Sequence, residues 1–119
     1  MTKDVINEVG DLKFKTRNLV LEKAKVIMNN DRQNNYGEPE NNFATIAEYW
    51  NTYLKSKGYV SSDTIKPSDV SIMMGLLKTA RTGSSPYHED NYVDAVNYFA
   101  IAYELAMLDS ANKMSAKKG

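Results

Sequence analysis

The segment NFATIAEYWNTYL, residues 42–54, decides the fold class, because it carries the most regular apolar pattern in the chain. Its apolar side chains recur at the spacing of one helix face; they are Phe43, Ile46, Ala47, Trp50, Tyr53 and Leu54. Pro39 suits the first position of this helix, where its missing N–H would be unpaired anyway. Ser56-Lys57-Gly58 ends it. The segment is therefore predicted to be an amphipathic helix.

Three other segments show helical spacing. A first helix is predicted from Asn18, a suitable N-cap, with a stripe of Val20, Leu21, Ala24, Ile27 and Met28. A third helix begins at Pro67 and carries Val70, Met73, Met74 and Leu77, and a last helix covers Glu89 to Ser110. No strand-like alternation, hairpin signal or internal repeat is present. The prediction is an all-α antiparallel bundle of four main helices.

The ends of the chain are predicted to differ from its middle. Residues 1–17 carry a short apolar stripe broken by Gly10, which indicates a short N-terminal helix or arm. Residues 18–110 form the predicted helical domain. Residues 111–119 form a predicted flexible, basic tail.

Composition excludes several classes of function. The 119 residues suffice for one domain, and 15 basic residues balance 15 acidic ones, so no overall field favours non-specific nucleic-acid binding or an anionic membrane. With no cysteine and one histidine, disulfides, a Cys nucleophile and classical zinc sites are excluded. No apolar run approaches the roughly 18 residues of a membrane span, and no secretory apolar core is present. The expected location is the cytoplasm.

The segment DRQNNYGEPENNF, residues 31–43, is far more polar than a turn requires. It either fills a joint between helices or lines a ligand site. Asp31 lies four residues after Ile27, and Arg81 lies four residues after Leu77, so both continue apolar stripes toward the bundle interior. Either the helices end before these charges, which then reach solvent, or Arg81 meets an acid or a bound anion. Lys78 would flank Arg81 as part of a phosphate clamp.

The segment HEDNYVD, residues 88–94, is the second charged cluster. Asp90 and Asp94 lie one helical turn apart, as Mg²⁺ needs when phosphates and water fill its other positions. The alternative is a solvent-facing acidic stripe, although Ile101 and Leu108 on the same face indicate partial cover. His88, the single histidine of the chain, is either a loop or cap residue or part of this site. The tyrosines Tyr36, Tyr87 and Tyr98 either stack on a base or wedge the bundle.

Taken together, these spacings resemble a family of small, largely uncharacterised phage and prophage proteins. The resemblance covers roughly residues 19–105. Its motif residues are Asp31, Arg32, Tyr36, Gly37, Pro39, Asn42 and Phe43, then Pro67, Asp69, Val70, Met73, Met74, Leu77, Lys78, Ala80 and Arg81, then His88, Asp90, Asp94 and Tyr98. The resemblance would make the expected location the host-cell cytoplasm.

That family is distantly similar to a nucleotide-modification-associated domain and to the MazG-like nucleoside triphosphate pyrophosphohydrolases. This similarity implies an all-α, Mg²⁺-dependent and usually oligomeric enzyme that cleaves a nucleotide between its α- and β-phosphates. The enzymes' E-E-x-x-E cluster is absent here. Asn91-x-x-Asp94 stands where E-x-x-D is expected, with Asp90 shifted by one position. Fewer carboxylates mean fewer metal ions.

The resulting hypothesis is a polar pocket for a nucleotide or related phosphorylated ligand at one end of the bundle. The predicted ligand-binding residues are Asp31, Arg32, Tyr36, Asn42, Lys78 and Arg81. The predicted catalytic residues are His88, Asp90 and Asp94, and the two aspartates would hold Mg²⁺. Two alternatives stay open: a non-catalytic binding module, and an interaction protein whose charged cluster is an internal ion-pair network. The chain could form a dimer or larger assembly, or close as a monomeric bundle.

Overall fold

The computed structural model describes the backbone of residues 3–33 and 39–118 and the side chains of residues 10–30 and 42–116. Within those ranges the chain forms four helices and no strand. They are α1 (Lys3–Gln33), α2 (Pro39–Ser56), α3 (Pro67–Arg81) and α4 (Glu89–Lys118). The predicted all-α class with four main helices is confirmed.

The ends of α2 follow from the residues that punctuate it. The helix begins at Pro39 and ends at Ser56, as predicted. Gly58 adopts a left-handed backbone with φ of 73°. There the N–H of Tyr59 bonds the carbonyl of Leu54 and the N–H of Gly58 bonds that of Lys55, both at 3.0 Å. This pair of bonds is the Schellman motif, which satisfies carbonyls that the helix end would leave unpaired.

A buried asparagine fastens the loop between α2 and α3. The side-chain amide of Asn51 donates to the carbonyl of Ile65 at 2.9 Å. Its oxygen accepts from the backbone N–H groups of Thr64 and Ile65 at 3.0 and 2.8 Å. At the start of α3, the N–H of Lys66 donates to Asp69 Oδ2 at 2.9 Å. The loop is therefore held at both its α2 and its α3 side.

Two predicted helix boundaries are wrong. Helix α1 begins at Lys3 rather than at Asn18, and it passes through Gly10 without a break. A glycine inside a helix costs only about 1 kcal/mol, which a long helix tolerates. Helix α4 continues past Ser110 to Lys118. The division at residues 17 and 110 into an arm, a helical domain and a flexible tail stays a prediction.

Helices α3 and α4 form the centre of the fold and run antiparallel. The hydroxyl of Ser71 donates to the carbonyl of Tyr98 at 2.6 Å. A Cβ placed on Gly75 would lie 2.7 Å from Cε1 of Phe99, so only glycine fits there without movement. We call this line of close contact, formed by Ser71 and Gly75, the α3–α4 seam. Helix α1 packs on α4 and α2 packs on α3, and the Phe43 and Tyr98 rings, with centroids 6.3 Å apart, link α2 to α4.

Helix α3 buries a different face from the one predicted. The buried residues of α3 are Val70, Ser71 and Gly75, whereas Met73 and Leu77 are exposed. The buried residues of α4 are Asn91, Val93, Ala102 and Leu105, whereas the large residues Tyr92, Phe99 and Tyr103 are exposed. The predicted core positions are therefore wrong for Met73 and Leu77. Small residues let the two backbones approach, and the larger apolar side chains then face outward.

The molecule is long and its core is small. Its radius of gyration is 18.9 Å and its extents are 63 × 35 × 27 Å, whereas a compact domain of this length has a radius of gyration of about 13.5 Å. Among side chains 10–30 and 42–116, the buried hydrophobic residues are Ala24, Ala47, Val70, Val93, Ala102 and Leu105. None of the helices in the described ranges combines the length and apolarity needed to cross a membrane.

Candidate functional site

The end of α3, the connecting loop and the start of α4 bring five predicted site residues to one end of the central helix pair. We call these residues, Lys78, Arg81, His88, Asp90 and Asp94, the charged end. Local hydrogen bonds shape the loop between α3 and α4. The N–H of Ser85 donates to the carbonyl of Arg81 at 3.0 Å, and the N–H of His88 donates to the carbonyl of Ser85 at 3.3 Å. These bonds turn the chain back so that α4 can run beside α3.

The strongest contact of the charged end is an ion pair between the two central helices. Nζ of Lys78 lies 3.0 Å from Oδ2 of Asp94, and the two side chains are 19% and 34% exposed. A pair at this depth is screened less than a surface pair, and removing one partner leaves a partly desolvated charge. The contact therefore both joins α3 to α4 and holds the ammonium in one position.

The other members of the charged end are open to solvent. Arg81 is the last residue of α3, its side chain is exposed, and it makes no ion pair with another residue whose side chain is described. Of the two alternatives for Arg81, the structure supports the one in which the side chain reaches solvent, because Leu77, one turn earlier on the same face, is exposed as well. His88 Nε2 lies 3.8 Å from Asp90 Oδ2, and both side chains are largely exposed. A contact at that distance in water contributes little.

The predicted metal residues offer two carboxylates and no more. Among the side chains that the structure describes, no group of three or more histidine, aspartate or glutamate residues is placed to hold a metal ion. Asp90 and Asp94 are about 6 Å apart along the helix axis. Two carboxylates suit Mg²⁺ when phosphates and water supply its remaining ligands. Asp94 would first have to exchange its contact with Lys78.

The remaining predicted ligand-binding residues belong to the polar segment 31–43. The side chains of Asp31 and Arg32, and the whole of Tyr36, lie outside the described residues, as does the predicted inward orientation of Asp31. Asn42 lies in the first turn of α2 with an exposed side chain. The predicted polar wall around the ligand therefore stays a prediction.

Partial cover of the acidic face of α4 is confirmed. Asn97, Ile101 and Glu104 are half-buried, whereas Asp90 and Leu108 on the same face are exposed. The contact of the Tyr98 ring with Phe43 favours a packing role between α2 and α4 over stacking on a base. Tyr87 is almost fully exposed.

A large apolar groove between α1 and α4 was missed by sequence reasoning. We call it the α1–α4 groove; its volume is about 960 Å³, and its apolar lining includes Leu12, Leu19, Tyr92, Val96 and Phe99. Lys23 and Glu89 form an ion pair that joins the same two helices. The signal that could have revealed the groove is a second stripe on α1 with a spacing of seven, Leu12, Leu19 and Val26.

Comparison with known proteins finds relatives encoded by phages. The chain is 32% identical over 88 residues to the Gene 55 protein of Mycobacterium phage L5, a match that covers 74% of this chain and 53% of that protein. It is 34% identical over 79 residues to the Gene 55 protein of Mycobacterium phage D29, covering 66% and 48% respectively. The chain thus spans about half the length of these curated relatives. No solved structure matches it.

The family comparison agrees with the motif-based resemblance. Residues 19–106 match a family described as Domain of unknown function (DUF6378), almost the same range as the predicted 19–105. The resemblance to a phage family is confirmed, whereas similarity to MazG-like enzymes stays a prediction. Because the match covers most of the chain, the protein belongs to the DUF6378 family.

Proposed function

We propose that this chain is a phage-type protein that binds a nucleotide or related phosphorylated ligand at the charged end and acts on nucleotide pools in the host-cell cytoplasm. The observation that supports this most is the positioned ammonium of Lys78, held 3.0 Å from Asp94, with the exposed guanidinium of Arg81 three residues later on the same helix. Two cations at that spacing suit a group carrying several negative oxygens.

The two cations would have different roles. Arg81 offers a planar fork of donors that can bind a phosphate through two parallel hydrogen bonds, whereas Lys78 acts as a point charge. The polar segment 31–43 would supply the other contacts: Asp31 would accept hydrogen bonds from the sugar hydroxyls, Arg32 and Asn42 would meet the phosphate, and Tyr36 would stack on the base.

Hydrolysis of a phosphoanhydride is the more demanding form of the proposal. Mg²⁺ bound by Asp90 and Asp94 would offset phosphate charge and activate a water molecule. Lys78 would exchange Asp94 for a phosphate oxygen, and His88, exposed beside Asp90, would accept the proton of the attacking water. The water oxygen would bond to phosphorus as the phosphoanhydride P–O bond breaks, and pyrophosphate would leave with the electrons of that bond. With only two carboxylates, the residues support binding better than turnover.

The second candidate is an interaction protein in which the charged end is structural. It is favoured by the same Lys78–Asp94 ion pair, which crosses from α3 to α4 and satisfies both charges without a ligand. This candidate predicts that nucleotides leave the stability of the protein unchanged.

A thermal-shift measurement with nucleoside mono-, di- and triphosphates, with and without Mg²⁺, separates the two candidates. A ligand at 100 times its Kd stabilises the folded state by about 2.7 kcal/mol. Under the nucleotide proposal at least one nucleotide raises Tm by several degrees. Unchanged Tm with every nucleotide would reject nucleotide binding and leave the interaction protein.

Arg81→Ala sharpens this test because the side chain is exposed and free of ion pairs with the described residues. The substitution should change ligand-free stability by less than about 0.5 kcal/mol and should abolish most of the nucleotide-induced shift. Lys57→Ala, which removes an exposed cation just beyond α2, is the matched control and should leave the shift intact. Equal loss of the shift in both variants would indicate non-specific attraction. Turnover is tested separately: the wild-type chain should release pyrophosphate, and Asp94→Asn should lose that release.

A further inference from the structure

The α1–α4 groove is lined mainly by apolar side chains and is open to solvent. Its lining includes large residues that are open to solvent, among them Leu12, Leu21, Tyr92 and Phe99. Contiguous apolar patches of this kind mark interaction sites. The small core and the elongated shape point the same way, since much of the apolar surface of α1 and α4 is left without an intramolecular partner.

The exposed apolar stripes of α1 and α4 match in length. On α1, Leu12, Leu19 and Val26 are exposed and spaced by seven residues, so they span about 21 Å. On α4, the exposed stripe runs from Phe99 to Met114 and spans about 22 Å. A seven-residue repeat is the spacing at which one helix keeps the same face against another over several turns. Each stripe is therefore long enough to cover the other.

The charges of the two helices are also complementary. Over its whole length α1 carries seven basic and five acidic residues, a net charge of +2. Over its whole length α4 carries five acidic and three basic residues, a net charge of −2. The ion pair of Lys23 with Glu89 already joins these helices within one chain. An α1 from outside would meet an α4 of opposite charge.

We propose that the α1–α4 groove, together with the exposed α4 stripe that continues from it at Phe99, is the docking site for a second copy of this chain, with α1 of each copy lying along that stripe of the other. A two-fold axis then forms two equal contacts and leaves neither stripe uncovered, because each copy carries both surfaces. The zero net charge of the chain opposes no such pairing. The inference does not depend on nucleotide binding, since the groove and the charged end are formed by different side chains.

Sedimentation equilibrium of the intact chain tests the proposal directly. The expected result at micromolar concentration is a mass twice the 13.4 kDa of one chain. Tyr103→Glu should raise the Kd of the dimer at least about tenfold, because it places a charge in the contact. Tyr53→Glu is the matched control on α2, outside the groove; the two tyrosines are 71% and 59% exposed in the single chain. Far-UV circular dichroism should show unchanged helix content in both.

A cross-linking experiment keeps the test decisive even if a charged variant fails to fold. The chain has no cysteine, so a cysteine introduced once per chain can form only intermolecular disulfides. Leu19 and Met107 lie near the middle of the two stripes. Chains carrying Leu19→Cys mixed with chains carrying Met107→Cys should yield the mixed disulfide on oxidation, and Leu19→Cys mixed with Tyr53→Cys should not.

Three results would overturn the proposal: a wild-type mass of one chain, equal dissociation by Tyr103→Glu and Tyr53→Glu, or mixed disulfides at the same yield in both pairings. A single-chain mass would leave a helix of another protein or an apolar small molecule as the occupant of the groove. If nucleotides still raise the Tm of that monomer, ligand binding at the charged end is independent of the α1–α4 groove.

Discussion

Removing either partner of the Lys78–Asp94 ion pair should destabilise the protein, and the cost should depend on which partner is removed. Exposed pairs contribute about 0.2–1 kcal/mol, and breaking a buried pair costs about 3–5 kcal/mol. With exposures of 19% and 34% at a separation of 3.0 Å, this pair lies between those limits, and we expect a coupling energy of about 1–2 kcal/mol. Asp94→Ala should cost more than Lys78→Met, because it strands the more deeply buried charge.

The coupling energy is measured with a double-mutant cycle, in which both single variants and the double variant are unfolded in urea and followed by far-UV circular dichroism. The exposed pair of Lys55 and Asp63, 2.6 Å apart, is the matched control and should couple by less than about 0.5 kcal/mol. Raising the salt concentration to about 1 M shortens the Debye length to about 3 Å and should weaken the surface pair proportionally more. If Lys78 and Asp94 couple no more strongly than the control pair, the half-buried contact does not join α3 to α4.

Other consequences of the packing are measurable in the same unfolding assay. Asn51→Leu removes three hydrogen bonds of about 1 kcal/mol each and should cost about 2–4 kcal/mol, whereas Thr52→Ala, next to it on the exposed face, should cost less than about 1 kcal/mol; similar costs would show that the loop is not held by Asn51. Gly75→Val should cost about 1–3 kcal/mol by overpacking the seam, and adding Phe99→Ala should recover part of that loss, an outcome that additive costs would contradict.

The parts of the fold that could be predicted are those set by local chemistry. Pro39 and Gly58 mark the ends of α2 through a missing N–H and a left-handed backbone, and both signals are visible in the sequence. The orientation of α3 was not predictable in this way, because its packing face depends on Ser71 and Gly75 rather than on its larger apolar residues. A stripe counted by hydrophobicity leaves out the small residues through which two helices approach.

The candidate site could be predicted as a set of residues but not as a set of contacts. The spacing correctly placed Asp90 and Asp94 on one helix. It also correctly placed Lys78 on the preceding helix and His88 just before the last one. The spacing did not show which of these residues contact one another. In the structure Asp94 contacts Lys78, and Asp90 lies beside His88. These pairings depend on the antiparallel alignment of α3 with α4, which is set by the seam and the length of the intervening loop.

The α3–α4 seam also determines which part of the molecule opens first. The amide protons of Ser71 and Gly75 belong to buried residues at this contact, so we expect them to exchange with solvent only when α3 and α4 separate. Helix α1 has exposed side chains throughout residues 11–19, and its amides there can exchange through local opening at a much smaller free-energy cost. A second copy lying against α1 would close that route. Hydrogen exchange in α1 would then slow as protein concentration rises. The exchange rate of one helix would therefore report how much of the protein is assembled.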